Sequence, residues 1–131
     1  MDMNDPGKER RKFKRTPVSF LVYYKINSPL VIKIQVGDKM INALAADISE
    51  GGIAIMTDYE LPPVASINVS FFMMNDKAYS ADLKSRTITV RGEVRYNITI
   101  KERKEYKIGV LFSDLSDDNR NFIREFTVSN K

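Results

Sequence analysis

The sequence has no cysteine and no histidine among its 131 residues. Without cysteine there can be no disulfide and no thiolate metal site, and the redox compartment leaves no trace. Without histidine the commonest general base and the commonest metal ligand are both missing. Carboxylates remain, but no two acids stand with a partner at a spacing that would serve acid–base chemistry, so an enzyme is not expected. Long apolar runs are missing as well: none approaches the roughly 20 residues that span a bilayer. The N-terminus is charged and polar with no apolar stretch behind its basic residues, which is not the pattern of a secretory leader. The sequons Asn68-Val69-Ser70 and Asn97-Ile98-Thr99 are therefore read as coincidence, and a cytoplasmic protein is expected.

Net positive charge is scarce over most of the chain. The net charge is +4, but residues 1–15 hold six basic side chains against three acids, a net of +3. The other 116 residues carry 15 basic and 14 acidic side chains, a net of +1. An anion would be held near the N-terminal segment and not by a broad basic face. What is present is an ordinary globular composition, 43% apolar, at a length that suits one domain with one modest core.

Residues 1–7 have no periodicity and no large apolar anchor beyond methionine, and are expected to be a disordered tail. From Val18 the pattern has period two, with Val18, Phe20, Val22, Tyr24 and Ile26 on one face of a strand, broken at Asn27-Ser28-Pro29. Ile32, Ile34 and Val36 alternate with Lys33 and Gln35 ahead of Gly37-Asp38-Lys39, which predicts a hairpin over Ile32–Lys39. Strands follow over Met40 to Ala46, Ile53 to Thr57 and Val64 to Met74. In the last of these Phe72 and Met74 face away from Phe71 and Met73, so cover on both sides is expected. Residues 75–85 read as a polar connection. Thr87 to Ile100 alternates cleanly, with Ile88, Val90, Val94, Tyr96, Ile98 and Ile100 inward. Gly92, also inward, suggests a bulge or the close approach of another backbone. Lys101 to Glu105 reads as a hairpin loop, and Tyr106 to Phe112 as the returning strand. The period then changes: Ser116 is a good N-cap, Asp117 and Asp118 oppose the helix dipole, and Leu115, Phe122, Ile123 and Phe126 form one stripe. A helix over 116–128 is predicted to lie on the sheet or close one end of a barrel. Many strands with one terminal helix mean a mostly β, antiparallel fold.

Two short stretches carry chemistry. Asp47-Ile48-Ser49-Glu50-Gly51-Gly52 packs an acceptor, a hydroxyl and two glycines into six residues. The plain reading is a turn between strands, because Asp and Ser bond nearby backbone and Gly opens conformations closed to other residues. Upstream lies Glu9-Arg10-Arg11-Lys12-Phe13-Lys14-Arg15, which by itself is a solvated basic tail. Taken together, R-x-x-x-R at Arg11 and Arg15 followed by D-x-S-x-x-G at Asp47, Ser49 and Gly52 resembles the PilZ family, whose members bind the bacterial second messenger cyclic di-GMP. Gly92-Glu93-Val94 and Ile108-Gly109-Val110-Leu111-Phe112 are similar to its later strands, so the resemblance runs from about Glu9 to Phe126.

What the resemblance implies is a six-stranded antiparallel PilZ-type β-barrel with a C-terminal α-helix and a flexible N-terminal basic segment. Residues 8–128 would form a single domain, with a ligand-clamping segment at 8–15, the barrel over 16–113 and the helix over 116–128. It also implies a non-enzymatic receptor that signals to an effector protein, in control of motility, secretion or polysaccharide synthesis. Arg10, Arg11, Arg15, Asp47, Ser49, Gly51 and Gly52 would bind cyclic di-GMP, with no other cofactor. Arginine's fork can pair with phosphate oxygens and with guanine O6 and N7, and can stack on purines. Asp47 suits guanine's donor edge, and Ser49 can donate to phosphate or accept from base. The glycines let backbone N–H groups approach the ligand. The doubled Arg10-Arg11 accompanies, in the family, a stacked pair of ligands. The 31 residues between Arg15 and Asp47 are more than a compact member needs. The alternative is a small basic β-barrel for single-stranded nucleic acid, with Tyr23, Tyr24, Phe72 and Tyr96 as stacking platforms; the nearly neutral body argues against it.

Overall fold

A computed structural model describes residues 14–78, 84–101 and 105–130. The tail at 1–7, Arg10 and Arg11, and the middles of the 75–85 connection and of the Lys101–Glu105 loop lie outside the described residues. Six strands and two helices follow in order: β1 Thr16–Ser28, α1 Leu30–Val36, β2 Ile41–Ile48, β3 Gly52–Thr57, β4 Ser66–Met74, β5 Ser85–Lys101, β6 Glu105–Phe112 and α2 Asp117–Ser129. Every strand pair is antiparallel. The strands close into a barrel in the order β1-β2-β3-β6-β5-β4, so β1 is hydrogen-bonded to both β2 and β4.

The alternation in the sequence explains the interior. Val22, Tyr24 and Ile26 of β1 meet Ile53 and Ile55 of β3, Ile67 and Val69 of β4, and Ile88, Val94 and Ile108 of β5 and β6 in one buried cluster. Each such aliphatic side chain stabilises the fold by about 1.5–3 kcal/mol relative to exposure. Phe20 and Phe71 stack with ring centroids 5.6 Å apart. The helix α2 closes one barrel end, dropping Phe122 and Ile123 into the core. Its first turn is as the sequence predicts: the Ser116 hydroxyl accepts from the Asn119 N–H at 3.2 Å, and Asp117 and Asp118 face the dipole.

Three expectations need correction. The predicted Ile32–Lys39 hairpin is instead the helix α1. The N–H groups of Ile32 and Lys33 both donate to the Pro29 carbonyl, which starts a helical turn. Ile32 and Val36, four residues apart, then pack against the core while Leu30, Val31 and Ile34 stay exposed. An i, i+4 pair on one helix face looks like period two when a third apolar residue falls between. In β5 the inward set ends at Val94. The register shifts between Val94 and Tyr96, and this bulge turns Tyr96, Ile98 and Ile100 outward. Gly92 is not the bulge; a side chain there would run into Val110 and the Leu111 carbonyl. Finally, Phe72 and Met74 are exposed, not covered.

One buried polar pair carries a prediction. The Tyr24 hydroxyl lies 2.7 Å from Thr57 Oγ1, and burial pushes the phenol from 10.0 up to about 12 against the opposing effect of that hydrogen bond. The unfolded chain loses this proton near pH 10 and the folded one near 12, so stability falls across that window. Tyr24→Phe should cost about 1 kcal/mol at neutral pH, from the broken bond. It should also flatten the decline between pH 10 and 12; thermal melts across the alkaline range would check both.

Candidate functional site

The Asp47–Gly52 turn joins β2 to β3 at the barrel end covered by α2. Asp47 faces Pro17 of β1 on one side and Ala54 of β3 on the other. Ala54 faces Gly109 of β6, and Gly109 faces Tyr96 of β5. Direct cross-strand partners share a face, so Pro17, Asp47, Ala54, Gly109 and Tyr96 form one row across five strands. Their neighbours Ile48, Ile53, Val110 and Val94 point into the core, which puts the row on the outer wall. Asp47 and Tyr96 stand three strand spacings apart, about 14 Å along the wall, with the two smallest side chains between them.

Charge collects at the Asp47 end. The Arg15 guanidinium donates from Nε to Asp47 Oδ1 at 2.7 Å, and Lys107 Nζ lies 3.9 Å from Oδ2. Arg15 and Asp47 are only 20% and 18% exposed, so this pair is shielded from solvent more than a surface bridge. Two cations around one carboxylate leave a local excess of positive charge. Arg15 uses Nε for this bond, and its two terminal nitrogens make no hydrogen bond among the described residues. Ala54 is 0% exposed although it lies on the outer wall. At Gly109 a side chain would collide with the Tyr96 ring; the aromatic lies flat on the bare backbone and can do so only because that position is glycine.

The turn itself is built by its own residues. Ser49 is 1% exposed; its N–H donates to the Gly52 carbonyl at 2.9 Å, and its Oγ accepts from the Gly51 N–H at 3.1 Å. The Gly51 carbonyl accepts from the Phe112 N–H at 2.9 Å. A Cβ on Gly52 would run into the Val110 carbonyl oxygen, so this glycine is demanded by the approach of β6. Glu50 faces α2: Arg124 grips its carboxylate with two nitrogens at 3.2 and 3.1 Å, and Arg120 donates to its carbonyl at 3.3 Å. The bond to Glu50 raises the Arg124 guanidinium above its ordinary value.

Of the residues singled out in the sequence, the structure thus brings Arg15 to Asp47 and puts Ser49, Gly51 and Gly52 in one turn beside them. Arg10 and Arg11 lie outside the described residues. Sequence reasoning missed Lys107, whose neighbourhood depends on the β3–β6 register. Tyr96 it placed inward; the bulge after Val94 that turns it outward has no Gly or Pro in the sequence to mark it. Among the described residues there is no cluster of three or more metal-ligating side chains, and no helix is long and apolar enough to cross a membrane.

The barrel with its terminal helix has counterparts among solved structures. The family model for the PilZ domain matches residues 9–129. The chain belongs to the PilZ family. Solved PilZ-type structures share its fold. The inhibitor of motility MotI/DgrA of Bacillus subtilis superposes with a TM-score of 0.70 at 16% identity, over 91% of this chain and 50% of that one. The PilZ domain of YcgR from Escherichia coli, solved with c-di-GMP, gives 0.61 at 10% identity, over 92% of this chain and 91% of that one. PlzA of Borreliella burgdorferi, in complex with c-di-GMP, gives 0.59 at 13% identity, over 93% and 43%. The chain therefore spans about half the length of MotI/DgrA and PlzA, and nearly the whole of the YcgR domain. No curated protein matches the sequence.

Proposed function

We propose that this PilZ chain is a non-enzymatic cytoplasmic receptor for cyclic di-GMP. The observation that carries the reading is the Arg15–Asp47 pair at 2.7 Å, beside Lys107 and on the same outer wall as Tyr96. YcgR and PlzA, solved with this ligand on the same fold, support it. The Tyr96 ring, which covers Gly109, gives a purine an aromatic surface to stack on, on the same wall as the Arg15–Asp47 pair. Arg15 offers its free terminal nitrogens to phosphate or guanine, and Asp47 its remaining lone pairs to guanine N–H groups. Arg10 and Arg11 would add charge and stacking, and the doubled arginine favours two ligands as a stacked pair. Ser49, Gly51 and Gly52 would hold the turn in the shape that presents Asp47. The basic segment 8–15 would close over the ligand, and the altered surface would be read by an effector protein.

Calorimetry is the test, with GMP and a short single-stranded oligonucleotide as controls. Cyclic di-GMP should bind saturably at two per chain, and trypsin cleavage at Arg10–Arg15 should slow when it is added. Tight binding of the oligonucleotide with none of the dinucleotide would overturn the reading in favour of a nucleic-acid barrel. Saturation at one per chain would remove the stacked pair.

A further inference from the structure

At the barrel end opposite the Asp47–Gly52 turn, α1 and the β3–β4 connection enclose an open cleft of about 760 Å³. Ile32 and Val36 of α1, Tyr59 and Pro62 of the connection, and Thr99 of β5 line it. Its one charged lining residue is Glu60, whose carboxylate has no partner among the described residues. Beside the cleft, the barrel ring runs out. β4 pairs with β5 no further than Glu93. The connection follows β5 a little way, through Val64 N–H to the Val94 carbonyl, Val94 N–H to the Ala65 carbonyl, and the Asn97 amide to the Leu61 carbonyl. It turns away at Val64, which holds a left-handed φ of 65°, rare for a β-branched residue. From Ile98 to Ile100 no described strand occupies the side of β5 away from β6. In an antiparallel ladder, alternate residues direct both backbone groups to one side; Ile98, opposite Lys107, points to β6, so the edge presents the N–H and C=O of Thr99, which have no partner among the described residues. Ile98 and Ile100 stand exposed on its outer face, while Asn97 and Thr99 face the cleft.

We propose that this edge and cleft form a docking site for an extended peptide segment of a partner protein, added as a strand to β5 and carrying apolar and basic side chains. Natural proteins usually blunt a strand edge with charge or proline; here the edge is Ile-Thr-Ile beside a ready cavity. A strand laid against Ile98–Ile100 sends alternate side chains into the cleft and over the two isoleucines, the pattern of strand addition. The unpaired Glu60 selects a basic residue among those that enter. The site lies away from Arg15 and Asp47 and does not rest on the ligand reading.

The test uses the full chain, ¹⁵N-labelled, and a capped heptapeptide alternating valine and lysine. Saturable shifts should appear at the amides of Ile98 to Ile100 and at Glu60. Methylating the peptide nitrogens of every valine, or of every lysine, blocks one edge of the added strand. One of the two methylated forms should bind at least roughly tenfold more weakly, for two lost backbone bonds. Glu60→Lys, on an exposed loop, should weaken the lysine peptide by roughly threefold and strengthen a valine–glutamate peptide to match, as for an exposed ion pair. The proposal is overturned by absence of binding, by equal binding of both methylated forms, or by shifts centred on Leu21 and Phe72 of the outer wall. Self-association through the same amides without peptide would also overturn it, since a second copy would then be the occupant.

Discussion

Arg15→Lys should weaken cyclic di-GMP binding by about 1–3 kcal/mol, roughly five- to 150-fold, although the charge is unchanged. In the structure one guanidinium does two things at once. Its Nε holds Asp47 at 2.7 Å, and its terminal nitrogens stay available in the plane of the same fork. A lysine has a single nitrogen on a flexible stem and cannot grip the carboxylate while presenting a planar pair of donors. It would keep the ion pair or reach the ligand, not both. Calorimetry on the variant reads the loss, and a thermal melt shows that the fold is intact. If lysine binds as well as arginine, the residue acts through charge alone and the guanine- or phosphate-reading role is wrong.

Gly52→Ala should lower the thermal midpoint of the ligand-free protein by about 5–10 °C. One methyl group there meets the Val110 carbonyl oxygen, which is backbone in a closed barrel and has nowhere to move. Overpacking of this kind costs about 1–3 kcal/mol, and a chain of this size loses a few degrees for each. The choice of readout separates two explanations of the same glycine. A residue needed only so that a ligand can approach the backbone would abolish binding and leave the melt untouched; that outcome would sink the packing account.

Much of this architecture can be read from the residues in order. The period-two runs of β1, β4 and the first half of β5, and the Ser116-Asp117-Asp118 cap ahead of Phe122 and Ile123, each state their local structure because burial repeats with the element's own period. The motif residues Arg15 and Asp47 could be matched although 31 positions intervene. What could not be read depends on register or on tertiary contact. Ile32 and Val36 look like strand residues until the core is there to receive an i, i+4 pair. The bulge after Val94 shifts one strand by one residue and so inverts Tyr96, Ile98 and Ile100, with no Gly or Pro at the spot to announce it. Lys107 gains its place near Asp47 only through the pairing of β3 with β6, two strands that are far apart in the chain. Ala54 and Gly109 carry no signal in the sequence; the β3–β6 register makes them partners and leaves room for the Tyr96 ring.

That pairing has a kinetic consequence. β2 with β3, β4 with β5 and β5 with β6 are neighbours in the chain and can form as hairpins within microseconds. β3 with β6 and β1 with β4 close loops of roughly 40 to 50 residues and must wait for the slow, entropically costly search that non-local sheets require. The row from Asp47 through Ala54 and Gly109 to Tyr96 crosses the first of these late seams. A nascent or partly folded chain that already displays both arginine and aspartate motifs therefore still has no site to offer, and cyclic di-GMP would be captured only by molecules whose barrel has shut.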